Sequence, residues 1–329
     1  MVAAGMDLNA LPEIDGVAWR MFRNDEYDAL VALLHADLDE GGHEAQMSVK
    51  DFRRGLESLD DFEPETDILV ADTNGAAAGY VAAVTWAELT GDQVLFHAGR
   101  VAPEMKRRGI GTGLLEWVQG RLGELTAEVE GTKTLRTVAL SPSTTELMVK
   151  KGYEVTQHEA NLVRPHLDDI AEIPLPEGIV VRPVDEMDLR PIYEAEVEHF
   201  KDHWGASEEG STWWDNYKTD PHRDMSLWQI AFDGDEIVGI VKPFIKEEEN
   251  EQKGRKRGYT EDISTRRDWR GKGVASALIV RALVAQRDRG MEESALSVHE
   301  ENPHGAYRLY ERHGFEFRSR IDTLDKPAG

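Results

Sequence analysis

The sequence predicts a mixed α/β protein of the α+β class, with two tandem domains that each contain a mostly antiparallel sheet flanked by helices. Three observations support this prediction. The chain has 329 residues, the length of about two domains of roughly 100 to 200 residues. The halves repeat one plan of elements at an offset of about 160 residues. Helical stretches are interleaved with hairpins, which argues against a parallel doubly wound sheet.

The repeat begins with a strand and a hairpin in each half. Residues 17–20 and 179–182 are short runs that end in arginine, and acidic residues that favour a helix start follow both. Residues 68–81 and 228–241 each contain two β-rich runs around a glycine-containing turn, which predicts a hairpin. The same elements therefore open both halves.

The repeat continues with a turn, a helix and a final strand. Residues 101–111 and 265–275 each predict a strand end, a glycine-rich turn and the start of a helix. Residues 150–153 and 312–315 match as well, because each has two basic residues, a glycine and an aromatic residue. The order of elements is the same in both copies.

A connecting segment separates the copies. Residues 164–178 contain prolines and acidic residues, which are typical of linkers. We place the boundary near residue 170, so that the predicted domains are 1–170 and 171–329.

Composition and charge exclude several classes of protein. The chain has no cysteine, so it holds neither a disulfide scaffold nor a cysteine-ligated metal site. Its formal net charge of −25 repels nucleic acids and anionic membranes and attracts cationic small molecules or basic peptides. The alternative is that this charge serves solubility alone. With neither a leader pattern nor a run of about 18 apolar residues, we expect a cytoplasmic protein without nucleic-acid or membrane partners.

A glycine-rich turn, residues 266–273, lies between a predicted strand and a predicted helix over 274–286. Glycines let the backbone approach a ligand, and the N–H groups at a helix start favour an anion. The turn matches neither the P-loop nor the dinucleotide-binding motif. It therefore predicts a phosphate or pyrophosphate site, the alternative being a tight turn without a ligand.

Two motifs in the second copy resemble one known superfamily. Residues 270–275, Arg-Gly-Lys-Gly-Val-Ala, resemble the Arg/Gln-x-x-Gly-x-Gly/Ala pyrophosphate motif of the GNAT (GCN5-related N-acetyltransferase) superfamily. Residues 302–315 are similar to its Asn…Ala…Leu-Tyr…Gly-Phe signature. The resemblance implies a splayed mixed sheet in which acetyl-CoA lies where two parallel strands separate. The duplicated plan is similar to two-domain GNAT proteins, of which mycothiol synthase is an example.

The resemblance also implies the co-substrate and its contacts. Acetyl-CoA is expected, without a metal. Backbone N–H groups near Thr265 would polarise the thioester carbonyl, the turn would hold the pyrophosphate, and Asn302 would contact the pantetheine arm. For Lys272, a solvated surface role is the alternative. The predicted cofactor-binding residues of the second copy are Ile263, Ser264, Thr265, Arg270, Gly271, Lys272, Gly273, Val274, Ala275 and Asn302.

Two residues of the second copy are candidate catalysts. Acetyl transfer to an amine needs a base for the ammonium and an acid for the departing thiolate. Glu261, on the strand before the turn, is the candidate base, and Tyr310 is the candidate acid, since a phenol has a pKa of about 10. The alternatives are an ion-paired strand residue and a core tyrosine. Because side chains alternate along a strand, Asp262 is expected to face away from Glu261.

The acceptor side of the second copy is predicted more coarsely. Residues 199–205 and 211–217 combine aromatic and acidic side chains, which suit a cation. His199 and His203 are spaced as a helical metal pair would be, but no third ligand is evident. The charged run 246–258 predicts a solvated loop between two strands.

The first copy departs from the pattern. Counting four residues back from Val101 and from Thr265 pairs His97 with Glu261. Met148 stands in the place of Tyr310, and a thioether cannot donate a proton. We therefore predict a first domain that lacks transfer chemistry and can still bind coenzyme A. Its predicted cofactor-binding residues are Val101, Lys106, Arg107, Arg108, Gly109, Ile110 and Gly111.

These observations predict an acetyl-CoA-dependent N-acetyltransferase that acts on the amine of a small molecule or peptide. The alternative from another class is a coenzyme A-binding sensor or interaction protein without catalysis. Within the enzyme class, mycothiol synthase is the alternative. The sequence makes no prediction of the acceptor or of the oligomeric state.

Overall fold

The computed structural model describes residues 8–207, 210, 212–302 and 304–328. The chain start 1–7, Ser211 of the predicted acceptor segment and Pro303 within the 302–315 signature lie outside this range. The chain divides into two compact units. The first unit is Met1–His158 with Ser207–Thr212 and Arg320–Gly329, and the second unit is Glu159–Ala206 with Trp213–Ser319.

The described residues of the first half of the chain form six strands and five α-helices. In chain order they are β1 (Ala18–Met21), α1 (Tyr27–Glu40), α2 (Val49–Glu57), α3 (Pro64–Asp67), β2 (Ile68–Thr73), β3 (Ala76–Ala87), β4 (Gln93–Val101), α4 (Ile110–Leu125), β5 (Lys133–Ala139), α5 (Pro142–Lys150) and β6 (Glu154–Arg164). Short 3-10 helices cover Leu8–Ala10 and Pro103–Met105.

The second half repeats the order of strands, but in its described residues it has two helices instead of three before its second strand and an additional helix between its third and fourth strands. The elements are β7 (Ile179–Val181), α6 (Leu189–Phe200), α7 (Trp213–Lys218), β8 (Gln229–Asp233), β9 (Glu236–Ile245), α8 (Glu247–Lys253), β10 (Arg257–Thr265), α9 (Val274–Asp288), β11 (Glu293–His299), α10 (Ala306–Arg312) and β12 (Glu316–Pro327). A 3-10 helix covers Arg267–Trp269. No helix in the described ranges is long and apolar enough to cross a lipid bilayer.

Each unit contains a mixed, mostly antiparallel sheet, as predicted. In the first unit the strand order is β1-β2-β3-β4-β5-β12, and β4 and β5 are the parallel pair. In the second unit the order is β7-β8-β9-β10-β11-β6, and β10 and β11 are the parallel pair. The predicted hairpins are β2–β3 and β8–β9. Asn74 and Gly75 in the first turn have φ of 54° and 89°, values that suit a tight hairpin turn.

Each unit takes one edge of its sheet from a distant part of the chain. In the first unit, residues 322–327 of β12 pair antiparallel with β5. In the second unit, residues 159–164 of β6 pair antiparallel with β11. The predicted division into 1–170 and 171–329 stays a prediction, and it places these two segments in the opposite domains from the compact units.

A long helix packs on each sheet directly after the glycine-rich turn. Buried residues of α4 join the core of the first unit, and buried residues of α9 join that of the second. The repeated glycine of each hairpin allows this close approach. A Cβ on Gly239 would lie 2.5 Å from Val274 Cγ1, and a Cβ on Gly79 would lie 3.3 Å from Ile110 Cγ2. These glycines therefore let the first residue of each helix pack closely on its sheet.

Arg136 holds the chain-terminal strand to the first unit. Its Nε and Nη2 donate to the two carboxylate oxygens of Asp325 at 2.8 and 2.9 Å, and its Nη1 donates to Glu88 at 2.6 Å. The side chain is 10% exposed. We expect Arg136→Met to lower the free energy of unfolding by about 3 kcal/mol, because two largely buried carboxylates lose their partner.

Urea unfolding of the full chain measures this change in the free energy of unfolding. The matched control is Arg53→Met, which breaks the exposed Arg53–Glu57 pair, whose side chains are 56% and 52% exposed. Such pairs contribute at most about 1 kcal/mol. Equal losses for the two variants would contradict the anchoring role of Arg136.

Candidate active site

Glu261 lies where the two parallel strands of the second unit diverge. Strands β10 and β11 are paired only over residues 257–259 and 293–295. Beyond this point the Oε1 atom of Glu261 accepts a hydrogen bond of 3.0 Å from the N–H of Ser297 on β11. The carboxylate thus takes the place of a backbone acceptor in the gap between the strands.

A β-bulge interrupts β10 directly after Glu261. The register between β10 and β9 shifts between Glu261 and Ser264, and Asp262 has a left-handed φ of 50°. The alternation rule predicted that Asp262 faces away from Glu261, and this prediction is wrong. The bulge suspends the alternation, and both carboxylates line one cavity.

This cavity brings the two candidate catalysts together. It has a volume of about 280 Å³, and its lining includes Glu261, Ile263, Asn302 and Tyr310. Ser264, Thr265 and the turn residues 270–275 do not line it. The structure therefore places part of the predicted site around one cleft and the predicted pyrophosphate turn at the end of the same strand.

The cleft shifts the pKa values of both candidates upward. Burial raises the pKa of the Glu261 carboxyl well above its usual range, and the charges of Asp262 and Glu159 raise it further. Burial also raises the pKa of Tyr310, which is 6% exposed, and the Glu261 charge adds to this shift. Glu261 is therefore a stronger base than a solvated carboxylate, and Tyr310 stays a protonated phenol at neutral pH.

One wall of the cleft carries aromatic rings. Phe200 and His203 have ring centroids 5.8 Å apart, and the His203 and His299 centroids are 5.1 Å apart. Trp204 packs on His299 at 5.4 Å. Glu159 also lines the cavity, and burial raises the pKa of its carboxyl. Rings and carboxylates together suit a protonated amine.

The glycine-rich turn has the backbone geometry of an anion site. Gly271 and Gly273 have φ of 74° and 90°, which glycine adopts without strain. Gly273 is the N-cap of α9, so the N–H groups of the first helical turn follow it. A Cβ added at either glycine would meet no atom of the described chain within 4 Å. The turn thus leaves the space that a phosphate group needs.

The two cations of this turn make contacts of their own. Arg270 donates from Nε to the Thr265 carbonyl and from Nη2 to the His199 carbonyl, both at 3.1 Å, and it pairs with Asp202 at 3.0 Å. The Lys272 ammonium lies 4.5 Å from the ring centroid of Trp269. Arg270 therefore braces the turn, and the predicted phosphate contacts of both side chains stay predictions.

The two histidines of the predicted acceptor segment have separate roles. His199 shares a hydrogen bond of 3.0 Å between its Nδ1 and Ser264 Oγ, and burial lowers its pKa to about 4. His203 instead faces the cleft rings. In the described part of the chain, no three His, Cys, Asp or Glu side chains are grouped as a metal site requires.

The charged run 246–258 is not the solvated loop that the sequence predicted. Residues Glu247–Lys253 form α8, and Glu249 and Asn250 are buried. Glu249 accepts a hydrogen bond of 2.5 Å from the Tyr259 hydroxyl and pairs with Arg255. The side-chain amide of Asn250 donates to the carbonyl of Arg257. These buried partners order the run.

The first unit lacks the bulge of β10, and its two parallel strands stay paired one position further than those of the second unit. Strands β4 and β5 stay paired as far as His97 and Thr137, and the Thr137 hydroxyl donates to the His97 carbonyl at 2.7 Å. The register between β3 and β4 is continuous from Gly79 to Ala87. Since the bulge adds a residue to β10, the structural counterpart of Glu261 is Ala98. The predicted pairing of His97 with Glu261 is therefore wrong by one residue.

His97 is buried in the first unit and packs against Tyr153. It is 1% exposed, and its Nε2 lies 2.8 Å from the Tyr153 hydroxyl. Burial, followed by the charge of Arg100, lowers the pKa of His97 to about 3. Neither this neutral ring nor the buried Met148 supplies a base or an acid at neutral pH.

The cations of the first turn are held by carboxylates and carbonyl groups. Lys106 pairs with Glu40, Arg107 pairs with Glu146, and Arg108 donates to the Asp15 carbonyl. Arg107 has a left-handed φ of 64°, where the second unit has Gly271. Gly109 keeps a φ of 95° before α4, which begins at Ile110. A cavity of about 300 Å³ lies here, and its lining includes Val101, Lys106, Arg107, Gly109, Gly111 and Met148.

Comparison with known proteins identifies the family. The profile of the acetyltransferase (GNAT) family matches residues 27–138 and 189–315, which is one match in each half and more than half of the chain. The chain belongs to the GNAT family. It is an acyltransferase with two tandem GNAT domains, as the sequence predicted.

Solved GNAT structures match almost the whole chain. A GCN5-related N-acetyltransferase from Sphaerobacter thermophilus is 25% identical with a TM-score of 0.75, and the match covers 97% of each chain. A tandem GNAT protein from the clavulanic acid biosynthesis pathway is 16% identical with a TM-score of 0.67, covering 95% of this chain and 99% of that one. The second of these shows the fold alone.

A third match is to part of a larger protein. The glucosamine N-acetyltransferase region of a fungal multi-domain GH3 β-N-acetylglucosaminidase is 16% identical with a TM-score of 0.68, and the match covers 96% of this chain and 38% of that one. It also shows the fold alone. No curated protein sequence matches the chain.

Proposed function

We propose that this GNAT protein is an acetyl-CoA-dependent N-acetyltransferase whose second unit transfers an acetyl group to the amine of a cationic small molecule or peptide. The observation that carries this proposal is the cleft at the divergence of β10 and β11. It combines a carboxylate of raised pKa, Glu261, with a buried phenol, Tyr310. No observation favours the acceptor of the mycothiol synthase reaction over other amines.

The chain's own groups supply the proton transfers of this reaction. Glu261 takes the proton of the acceptor ammonium, directly or through a water molecule, so that the neutral amine attacks the thioester carbonyl carbon. As the carbon–sulfur bond breaks, the Tyr310 hydroxyl gives its proton to the departing sulfur. The attacking nitrogen then loses its second proton, which restores the Tyr310 phenol, and Glu261 releases the first proton to solvent. Backbone N–H groups near Thr265 stabilise the negative charge that develops on the thioester carbonyl oxygen, as preorganised N–H groups do in acyl transfer.

A comparison of the two units at equivalent positions supports a division of labour between them. The first unit has Ala98 and Met148 where the second has Glu261 and Tyr310. It retains a cavity beside its turn, but alanine and methionine stand where the second unit has its carboxylate and phenol. We therefore assign the first unit no transfer chemistry, and we propose that it binds coenzyme A at most as a ligand.

Release of free thiol from acetyl-CoA by the full chain, with a panel of primary amines, tests the proposal. We expect amine-dependent thiol release and a product whose mass and fragmentation show an amide. Tight binding of acetyl-CoA without turnover on any amine would instead support the coenzyme A-binding sensor. Thiol release without an amide product would contradict N-acetylation.

Gly273→Asp tests the pyrophosphate site. A side chain at φ 90° strains the turn, and a carboxylate there repels the phosphates and opposes the helix dipole. We expect the affinity of the second unit for acetyl-CoA to fall by at least about 10²-fold, as measured by calorimetric titration, and turnover to fall with it. Intact affinity would exclude this turn as the site.

Gly109→Asp is the matched variant in the first unit, because Gly109 has a φ of 95° at the equivalent N-cap. If the first cavity binds coenzyme A, this variant removes one binding event from the titration. An unchanged stoichiometry would show that the first cavity is not a coenzyme A site. Loss of turnover comparable to that of Gly273→Asp would contradict the division of labour.

A further inference from the structure

A buried ion cluster lies beside the bulge of β10. Lys242, on β9, is directly opposite Glu261 in the strand register, and its side chain is 9% exposed. Its Nζ lies 2.6 Å from Glu196 Oε2 on α6 and 3.0 Å from Asp262 Oδ2. The ammonium thus joins helix α6, strand β9 and the bulge.

Aromatic rings enclose the lysine and favour its charged form. The Nζ atom lies 4.5 Å from the ring centroid of Tyr217 and 5.4 Å from that of Trp228, distances that suit cation–π attraction. Burial alone would lower the pKa of Lys242, but the charges of Asp262 and Glu196 raise it. Lys242 therefore stays an ammonium between two carboxyl groups.

The second carboxylate that Lys242 contacts, that of Asp262, belongs to a strained residue. Asp262 has a φ of 50° inside a strand, a conformation that costs energy for every residue except glycine. Its side chain is 49% exposed, so packing does not fix it. The contact of its carboxylate with Lys242 ties Asp262 to the buried cluster.

The first unit has neither the bulge nor the cluster. Counted from the repeated glycines Gly79 and Gly239, Ala82 is the counterpart of Lys242. The contact of Asp37 on α1 with Arg100 corresponds to that of His199 with Ser264, which places Leu34 at the position of Glu196. Both counterparts are apolar, and β4 runs without a register shift.

We propose that Lys242 is a positioning residue that holds Asp262 in its left-handed conformation and so maintains the bulge that places Glu261 and Ile263 at the cleft. It acts on the protein backbone and need not touch a substrate. The expected effect of Lys242 on turnover depends on the proposed acetyltransferase function, whereas its effect on the conformation of the bulge is independent of that function.

The first test uses matched variants of Asp262. Glycine adopts φ near +50° without strain, so it needs no contact with Lys242 to keep that conformation. Alanine is strained at this φ and has no carboxylate to contact Lys242. We expect Asp262→Ala to lower the turnover number about tenfold or more below that of Asp262→Gly, with similar KM values for acetyl-CoA. Equal losses for the two variants would overturn the positioning role, because they would show that the carboxylate itself is needed.

The second test removes the lysine without leaving a buried charge unpaired. Lys242→Met combined with Glu196→Gln replaces the pair by neutral side chains of similar size. We expect a crystal structure of this full-length double variant to show a continuous β9–β10 register and a negative φ at Asp262. A retained bulge would overturn the proposal whether or not the protein transfers acetyl groups.

Turnover of the same double variant provides a rescue experiment. If wild-type protein acetylates an amine, we expect the double variant to lose about tenfold in turnover and to recover most of it when Asp262→Gly is added. Failure of the added glycine to restore turnover would contradict a role for Lys242 through the backbone. Absence of wild-type turnover would contradict the proposed function alone, since the crystal structure still decides the role of Lys242.

Discussion

Replacing Tyr310 by phenylalanine is expected to lower the turnover number by about 10²- to 10⁴-fold, the range that general acid catalysis contributes. The ring would still pack edge-on against Phe315, at a centroid distance of 6.1 Å, so the fold and the affinity for acetyl-CoA should stay within a few-fold of wild type. Steady-state thiol release and calorimetric titration measure the two quantities.

Tyr307→Phe is the matched control, because Tyr307 lies one helical turn earlier on α10 and does not line the cleft. Its turnover should stay within a few-fold of wild type. Unchanged turnover of Tyr310→Phe would exclude this phenol as the proton donor.

Replacing Glu261 by glutamine is expected to lower turnover by about 10²-fold or more, because the amide cannot take a proton from the acceptor ammonium. The amide oxygen can still accept the Ser297 N–H, so the divergence of the strands is preserved. In wild type, kcat/KM should fall as the pH falls through the raised pKa of Glu261, since only the ionised carboxylate is a base. This acid limb should be absent from the glutamine variant.

Glu159→Gln separates the base from its neighbour. The charge of Glu159 raises the pKa of Glu261, so its removal should shift the acid limb of the pH profile to lower pH. A glutamine variant of Glu261 that retained the wild-type acid limb would show that another group is the base.

Local patterns predicted the parts of the fold that short segments determine. The hairpins, the strand before the glycine-rich turn and the helix from Val274 all form as predicted, because turn glycines and apolar periodicity act over a few residues. The repeated order of elements predicted two copies of one fold, and the family matches in both halves confirm it. The sequence also predicted that Glu261 and Tyr310 act at one site, because each stands at a fixed position within the repeated order of elements in the second copy.

The features that depend on contacts distant in sequence were not predictable. Nothing in the local pattern of β10 marks the bulge, because Asp262 is held left-handed by Lys242 from another strand. This single extra residue explains why counting back from the turn paired Glu261 with His97 instead of Ala98.

Two further differences have the same origin. The pairing of β12 with β5 and of β6 with β11 joins positions at least 130 residues apart in the chain, and the same holds for Arg136 and Asp325. The charged run 246–258 looked solvated, yet Glu249 is buried against Tyr259. The contribution of Glu159 and His299 to the cleft was missed because they lie on strands that meet only in the sheet.

A crystal structure of the full chain with coenzyme A decides whether the second unit holds the co-substrate at the cleft. We expect a pyrophosphate at the N–H groups of residues 271–275 and a pantetheine arm between β10 and β11, with its sulfur beside Tyr310 and facing the Glu261 cleft. Coenzyme A bound only in the first unit, or with its sulfur away from the cleft of Glu261 and Tyr310, would contradict this expectation.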